Sequence, residues 1–365
     1  MFLSPIRDVT LRAARMAEAG ADIISFGAGD SEFETPEPIR EAAVRAVRAG
    51  RSHYESIQGN PELRGILARQ YREDYGVAYA PEEILITAAG TEGIFDVMMA
   101  LIQPGDEAVI LSPAFINYEN CIRLAGGKAV FVPVREENGF LPDPKLVERA
   151  ITDRTRMLVI NNPCNPTGAV YPRKCLEKLA GLARKYDLTV FSDEVYDKIV
   201  YEDSFCSMAQ LPDMKERTVI VNSFSKRFAM TGWRIGWLMA CGERMDAVYK
   251  VHHYSTACQP TFIQDALAEA LQLPETKKLQ RKMTEGFRRR RDLAGIWLRK
   301  HPELSSVSPG GAFYYFINIR ALGLTGREFA LRLLEEQHVA VVPGEGLGKE
   351  FSDYIRLSYG VSEKR

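Results

Sequence analysis

Short apolar runs alternate with amphipathic helical runs through the middle of the chain. The runs predicted to be strands are mostly apolar throughout, which is typical of strands buried on both faces of a mainly parallel sheet. They are Ile84–Thr87, Ala108–Ser112, Ala129–Val134, Met157–Asn161, Thr189–Ser192, Thr218–Asn222 and Gly236–Ala240. Between them the spacing predicts helices such as Gly93–Leu101 and Leu176–Tyr186. The pattern predicts an α/β fold with a mainly parallel central sheet and helices on both faces.

The two ends of the chain differ from this middle part. The lead-in is short and largely helical, and a long charged helix, Glu275–Arg299, follows the last predicted strand. A strand, Ala312–Ile319, a helix, Gly326–Glu336, and two short strands come after it. We therefore predict a large domain and a smaller α/β domain built from both ends. The predicted large domain covers residues 46–274, and the small one covers residues 1–45 and 275–365.

Composition and charge exclude several classes of function. The 365 residues include 47 basic and 48 acidic side chains, so no single-sign field favours nucleic acid or a membrane surface. The six cysteines are scattered without a C-x-x-C pair, and the five histidines show no metal-ligand spacing. We expect no metal, no disulfide framework and no nucleic-acid or membrane partner. No secretion signal or long apolar run is present, which predicts a cytoplasmic location.

Two motifs resemble nucleotide-binding sequences without their full pattern. The glycine cluster Gly344–Lys349 is followed by Glu350 and not by the Ser or Thr of a phosphate-binding loop. The acidic pair Asp193 and Glu194 ends an apolar strand, as in ATPases, but no glycine-rich lysine loop accompanies it. We interpret the first as a loop and look for another role for Asp193.

The strongest chemical signal is a lysine in a glycine-rich turn after an apolar strand. Ser223 and Ser225 precede Lys226, and Arg234 follows eight positions later. Hydroxyl and guanidinium groups bind a phosphate ester, while the lysine amine can reach an aldehyde on the same small molecule. An imine formed there makes a difficult C–H deprotonation easier, because a protonated pyridine ring acts as an electron sink.

Other strand ends offer groups that such a ligand needs. Asp193 can keep a pyridine nitrogen protonated, although a strand-end Asp is commonly a helix cap. Tyr196, three residues later, can donate a hydrogen bond to a ring oxygen, and Asn165 lies in a stiff proline-rich turn. The backbone of Ala89, Gly90 and Thr91 begins a helix, where free N–H groups favour a phosphate. Phe115 follows another strand and can stack on a ring.

Taken together, these motifs resemble the aminotransferase class I/II family, fold type I of the pyridoxal-phosphate enzymes. The resemblance extends from about Ile24 to Tyr359 and is closest to prokaryotic and archaeal-type aspartate or aromatic aminotransferases. The motifs that carry it are Asn165-Pro-Thr-Gly, Ser192-Asp-Glu-Val-Tyr196, Ser223-x-Ser-Lys226, Gly232-x-Arg234-x-Gly236, Gly311-Ala-Phe-Tyr and Arg356-Leu-Ser-Tyr.

The resemblance implies a role for each of these residues. Lys226 would hold pyridoxal 5′-phosphate as a Schiff base and shuttle the reaction's proton. Asp193 would pair with the pyridine nitrogen, and Tyr196 and Asn165 would contact the ring's 3-oxygen. The remaining assignments are Ser223, Arg234 and the backbone of Ala89, Gly90 and Thr91 for the phosphate, Phe115 for the ring face, and Arg356, Asn165 and the Gly29 backbone for the substrate α-carboxylate.

The same resemblance implies a homodimer with shared active sites. Tyr54 matches a tyrosine that reaches across the interface to the partner's phosphate. Two features depart from the family pattern. The usual Gly-Glu-Pro-Asp-Phe loop reads Gly29-Asp-Ser-Glu-Phe33 here, and the chain stops nine residues after Arg356, where relatives continue through a C-terminal helix.

The predicted reaction is ping-pong transamination from an α-amino acid, with aspartate or an aromatic residue favoured, to a 2-oxo acid, with 2-oxoglutarate favoured. The same cofactor and fold also serve β-lyases, racemases and decarboxylases, which share the lysine and the aspartate. Carbon–sulfur lyases of this fold usually carry His where this chain has Tyr196. A non-catalytic regulator would need a fused DNA-binding segment, for which residues 1–25 are too short.

Overall fold

The structure of the protein, a computed structural model, describes residues 5–202 and 204–363. Its helices are α1 (Pro5–Glu18), α2 (Glu37–Arg48), α3 (Pro61–Tyr75), α4 (Ala89–Leu101), α5 (Asn117–Leu124), α6 (Pro144–Ala150), α7 (Arg173–Lys185), α8 (Phe224–Arg227), α9 (Gly242–Ser255), α10 (Thr261–Ala270), α11 (Pro274–Leu298) and α12 (Gly326–Gln337). Its strands are β1 (Ile24–Ser25), β2 (Ile84–Thr87), β3 (Glu107–Ser112), β4 (Lys128–Pro133), β5 (Thr155–Asn161), β6 (Thr189–Asp193), β7 (Thr218–Ser223), β8 (Gly236–Met239), β9 (Ser305–Ser306), β10 (Tyr314–Asn318), β11 (Val339–Ala340), β12 (Val342–Pro343) and β13 (Tyr354–Ser358).

A seven-stranded sheet of order β2-β8-β7-β6-β5-β3-β4 forms the centre of the fold. Its strands begin and end within two residues of the seven predicted runs, which confirms those predictions. Strand β8 runs antiparallel to β2 and β7, and the other neighbours are parallel. Residues 224–235 contain only α8 and a 3-10 turn, so the chain turns straight back from β7 into β8. The predicted mainly parallel sheet is confirmed.

Both faces of this sheet are buried under helices. Side chains alternate along a strand, so neighbouring residues of β5 pack on opposite faces. Leu158 and Ile160 pack in the core cluster that contains Leu176 of α7. Met157 and Val159 pack in a different cluster, with the residues of α4 and α5. Each large aliphatic side chain buried in this way contributes about 1.5–3 kcal/mol to folding. Burial on both faces explains why the strands read as continuous apolar runs.

The ends of the chain build two smaller sheets beside the central one. Strands β12, β13, β10 and β9 form an antiparallel sheet, and β1 pairs with β11 in parallel. The predicted long helix, the strand within 312–319 and the helix from Gly326 correspond to α11, β10 and α12. In α12, Thr325 and Glu328 form a capping box, which fixes the start of the helix. None of the helices in residues 5–202 and 204–363 combines the length and hydropathy that a membrane span needs.

Helix α2 packs differently from its predicted domain. Residues 37–45 are assigned by sequence to the small domain, but Ile39, Ala42 and Ala43 are buried in one core cluster with Leu63 and Trp237. That cluster lies against the central sheet, since Trp237 belongs to β8. The division into two domains stays a prediction, and this packing favours a boundary before α2.

Candidate active site

The carboxyl ends of the parallel strands β5, β6 and β7 open into a cavity of about 480 Å³. Asn161, Asp193 and Ser223 are the last residues of these strands, and all three line the cavity. In open α/β sheets this edge is where ligands bind. All but one of the site residues predicted from sequence line it as well: Gly29, Ala89, Gly90, Thr91, Phe115, Asn165, Asp193, Tyr196, Ser223, Lys226, Arg234 and Arg356.

Tyr54 is the predicted residue that lies elsewhere. Its side chain is 87% exposed, and it lines a separate surface hollow with His53 and Cys258. Within one chain it therefore has no contact with the cavity. Its predicted contact is with the phosphate site of a partner subunit, so its role stays a prediction.

Lys226 lies in α8, directly after the strand end at Ser223. The Ser223 hydroxyl accepts a hydrogen bond from the backbone of Ser225 and caps this short helix. The Lys226 Nζ donates to the backbone oxygen of Gly29. Burial is the main reason that the pKa of Lys226 is lowered to about 8; the negative charge of Asp30 opposes this shift, and the positive charge of Arg356 adds to it. A substantial fraction of the amine is therefore uncharged and nucleophilic near pH 8.

Asp193 is buried at the end of β6, on the floor of the cavity. Burial raises the pKa of its carboxyl to about 6, although two hydrogen bonds act in the opposite direction. The Tyr118 hydroxyl donates to Oδ2 at 2.5 Å, and the Val195 backbone donates to Oδ1 at 3.2 Å. At neutral pH the carboxyl is thus largely ionised and held in a fixed orientation. Sequence reasoning missed Tyr118, whose only signal is its position three residues after Phe115.

Tyr196 meets a second tyrosine that sequence reasoning also missed. Its hydroxyl lies 2.7 Å from that of Tyr314 in β10, and both side chains are buried. Burial raises the pKa of both phenols, so both stay protonated. The ring of Tyr314 also faces the Arg356 guanidinium at 4.5 Å. In the sequence, Tyr314 stands out only as the last residue of Gly311-Ala-Phe-Tyr.

One side of the cavity offers donors for an anion. The first residue of α4, Ala89, has φ +63°, which turns the start of the helix into the cavity. Gly236 permits this approach, because a Cβ there would lie 2.9 Å from the Gly90 nitrogen. The Ser223 hydroxyl and the exposed Arg234 complete this side. A helix N-terminus with a hydroxyl and a guanidinium is suited to phosphate.

Arg356, on β13, also lines the cavity and is buried. Its Nη1 donates to Asn165 Oδ1 at 2.9 Å, and its Nη2 donates to the Gly27 backbone oxygen at 2.7 Å. Its Nε is buried and has no hydrogen-bond partner among the residues that the structure describes. A buried charged donor without a partner costs free energy, which an arriving anion would recover. The guanidinium is thus oriented for a carboxylate.

The family model for aminotransferase class I and II matches residues 21–365. The chain belongs to this family. The aspartate aminotransferase of Pyrococcus horikoshii is 38% identical over 365 residues, which cover 99% of this chain and 91% of the relative. The arginine–pyruvate transaminase of Pseudomonas aeruginosa is also 38% identical, with 96% of this chain and 88% of the relative covered. A solved structure of a Thermus thermophilus aspartate aminotransferase mutant matches with a TM-score of 0.94 at 40% identity, covering 100% of this chain and 94% of that one.

Membership in the aminotransferase class I and II family confirms several predictions together. The fold is that of the pyridoxal-phosphate enzymes of fold type I, and enzymes of this class depend on pyridoxal phosphate. The predicted enzyme class, a transaminase, is confirmed by relatives of 38–41% identity over nearly the full chain. The roles of the individual residues and the identity of the substrates are not decided by membership in this family.

One buried cluster in this aminotransferase was not expected from the histidine spacing. His252 Nδ1 lies 2.9 Å from Asp96 Oδ2, and Glu92 is close by. The Glu92 carboxylate accepts from the Ala88 backbone at 2.5 Å and from Gln259 at 3.0 Å. These carboxylate oxygens are engaged by protein donors, so we interpret the cluster as a hydrogen-bond network that joins α4 to α9.

Proposed function

We propose that the cavity binds pyridoxal phosphate through Lys226 and transfers an amino group between an α-amino acid and a 2-oxo acid by a ping-pong mechanism. One observation carries this proposal. A buried lysine amine with a lowered pKa shares a single cavity with the Asp193 carboxylate and with the Arg356 guanidinium. These three groups are what an aldehyde, a ring nitrogen and an α-carboxylate need.

The arrangement fits the cofactor from one end of the cavity to the other. The backbone at the start of α4, from Ala89 to Thr91, would hold the phosphate together with Ser223 and Arg234. Phe115 would cover the ring face. When bound, pyridoxal phosphate supplies an electron sink for the charge that develops at the substrate Cα.

Polar side chains at the ring edge would set its electronic state. Asp193, largely ionised at neutral pH, would hold a proton on the ring nitrogen. Tyr196 would donate to the ring's 3-oxygen, with Asn165 beside it. These contacts would favour the form of the ring that accepts electrons.

Lys226 would also carry the reaction's proton. Its amine lines the cavity and would be available as an acid and base whenever it is not bonded to the cofactor. With a pKa of about 8 it exchanges protons readily near neutral pH. We propose that it takes the proton from the substrate Cα and returns it to the C4′ atom of the cofactor.

Arg356, Asn165 and the Gly29 backbone would bind the substrate α-carboxylate. The guanidinium is already fixed by Asn165 and Gly27, so little side-chain entropy is lost on binding. A bidentate carboxylate contact orients the Cα–H bond as well as adding affinity. The requirement for an α-carboxylate follows from this clamp.

The proposal also concerns which side chain the amino donor carries. Along the described part of the chain, the cations that line the cavity are Lys226, Arg234 and Arg356, and each already has a role. The cavity lining without a proposed contact to the cofactor includes the apolar Ile6, Ile116 and Leu347 and the acidic Asp30. This lining favours an aromatic donor over aspartate. Relatives of equal identity are named for aspartate and for arginine, so identity alone does not choose. For the acceptor, 2-oxoglutarate stays the predicted oxo acid.

We propose a homodimer because Tyr54 is exposed. A tyrosine that is 87% exposed and lies outside the cavity of its own chain is suited to contact a partner's phosphate site. Sedimentation of the purified protein would test this, and a monomer that is fully active would contradict it.

A spectral titration tests the reaction. The absorbance band of the bound cofactor should be lost on adding a suitable amino acid and should return on adding an oxo acid. Tyrosine, aspartate and arginine as donors, with 2-oxoglutarate and pyruvate as acceptors, would rank the side chains. Pyruvate and ammonia released from an amino acid without any oxo acid would instead indicate a β-lyase. Lys226→Ala should abolish turnover and Lys174→Ala, on the exposed surface of α7, should not.

A further inference from the structure

We propose that Tyr314 is a positioning residue for both halves of the reaction. Its hydroxyl orients Tyr196 as a donor toward the bound cofactor, and its ring holds Arg356 in place for the substrate carboxylate. This inference rests on the proposed function of the cavity. It adds a residue that touches the two proposed binding groups at once.

The first contact is between two hydroxyl groups. Tyr314 is 1% exposed, and its hydroxyl lies 2.7 Å from that of Tyr196. Each phenol can donate only one hydrogen bond. If Tyr196 donates toward a ring oxygen in the cavity, its own oxygen must accept from Tyr314. The direction of the pair is therefore fixed as Tyr314 to Tyr196 to ligand.

This direction has an electrostatic consequence. A hydroxyl that accepts a hydrogen bond becomes a stronger donor, because chains of hydrogen bonds polarise one another in a low-dielectric interior. Tyr196 thus stabilises negative charge on the ligand oxygen more strongly with Tyr314 than without it. The pKa of the bound cofactor should therefore be lower with Tyr314 than without it.

The second contact is made by the ring. The Arg356 guanidinium carbon lies 4.5 Å from the ring centre of Tyr314, a cation–π distance. The hydroxyl end lies close to Gly29, where a Cβ would approach it to 2.9 Å, so the glycine leaves the space that the hydroxyl occupies. Tyr314 is therefore held between Gly29, Tyr196 and Arg356.

The next residue of the same strand provides a matched control. Tyr315 is also buried, but its side chain points to the other side of β10, because side chains alternate along a strand. Its hydroxyl donates to the backbone oxygen of Arg291 at 3.2 Å and does not line the cavity. Tyr315→Phe thus removes the same atom from the same strand without touching the site.

The main experiment is a pH titration of the bound cofactor's absorbance in the unmodified protein, Tyr314→Phe and Tyr315→Phe. Tyr314→Phe should raise the midpoint by roughly one pH unit, the equivalent of one weakened hydrogen bond. Tyr315→Phe should leave it unchanged. An unchanged or lowered midpoint in Tyr314→Phe, or an equal shift in both variants, would overturn the proposal.

Two further variants separate the hydroxyl from the ring. In a Tyr196→Phe background, Tyr314→Phe should cause no additional shift, and an additive shift would contradict the relay through Tyr196. Tyr314→Phe should leave KM within about twofold, whereas Tyr314→Leu should raise KM roughly tenfold because the cation–π contact is lost. Equal KM values in the two variants would contradict the role of the ring. A purified protein that carries no cofactor band would contradict the proposed function itself, a result distinct from an unshifted midpoint.

Discussion

Glu194 offers a stability test that does not depend on the reaction. Its carboxyl is 1% exposed beside Asp193 and accepts hydrogen bonds from three hydroxyl groups. Ser207 donates at 2.6 Å, Ser192 at 2.9 Å and Tyr71 at 3.1 Å. Despite these donors, burial raises the pKa of Glu194 to about 8. The folded protein therefore holds this carboxyl in its neutral form at pH 7.

The pH dependence of stability follows from the difference between the folded and the unfolded pKa of Glu194. The folded pKa lies above the unfolded value of 4.5, so the folded state binds the extra proton between about pH 4.5 and about pH 8. Stability is lost as pH rises through this window. From about pH 5.5 to about pH 7.5 the loss from this one group is at most roughly 2.5 kcal/mol. Glu194→Gln is neutral at every pH and should not show that loss.

The assay is urea unfolding of cofactor-saturated protein at one protein concentration and at both pH values. The stability of Glu194→Gln relative to the unmodified protein should improve by about 1–2.5 kcal/mol between the lower and the higher pH. Glu107→Gln is the control, because Thr152 and Arg154 hold the pKa of that buried carboxyl at about 2. The decrease in the free energy of unfolding caused by Glu107→Gln should be equal at both pH values. A pH-independent difference for Glu194→Gln would show that Glu194 is ionised in the folded state and refute the reasoning.

Three further predictions concern the site. Tyr118→Phe removes a donor to Asp193, so the pKa of that carboxyl should rise further above about 6. The acid limb of the pH profile of kcat/KM should then move up by about one pH unit. An acid limb that does not move would contradict this prediction. Arg356→Lys keeps the charge but loses the bidentate geometry, so KM for amino and oxo acids should rise about tenfold or more, measured by steady-state kinetics. Tyr54→Phe should weaken cofactor retention about tenfold if the phenol donates to a partner's phosphate, measured by dialysis and residual absorbance; full retention would count against a shared site.

Local sequence was enough to predict the strands of the central sheet and most of the residues that the structure brings to one cavity. Six of the seven strands of the central sheet are mostly buried, so their runs of four to seven residues are mainly apolar. Strand-end residues such as Asp193 and Ser223 follow those runs directly. Parallel strands bring their carboxyl ends to one edge, which explains why residues predicted separately line one cavity.

The contacts that tune the site were decided only by the tertiary structure. Tyr118 meets Asp193 across 75 residues of chain, and Tyr314 meets Tyr196 across 118. Each of these tyrosines has an apolar ring that suits any buried position, so the sequence does not distinguish a core aromatic from a donor aimed at the site. The sequence also does not predict that α2 packs against the central sheet, because the apolar residues of α2 suit any buried position.

The pKa values of Lys226, Asp193 and Glu194 belong to the folded state alone. The sequence places Lys226 next to hydroxyl and guanidinium groups that suit a phosphate ester, and predicts it as the residue for the cofactor. Burial then shifted these three groups toward neutrality, because desolvation penalises charge in proportion to how completely the surrounding chain excludes water. Residue types and their order therefore determined which chemistry the chain can perform. Long-range packing determined the protonation states and orientations in which it performs it.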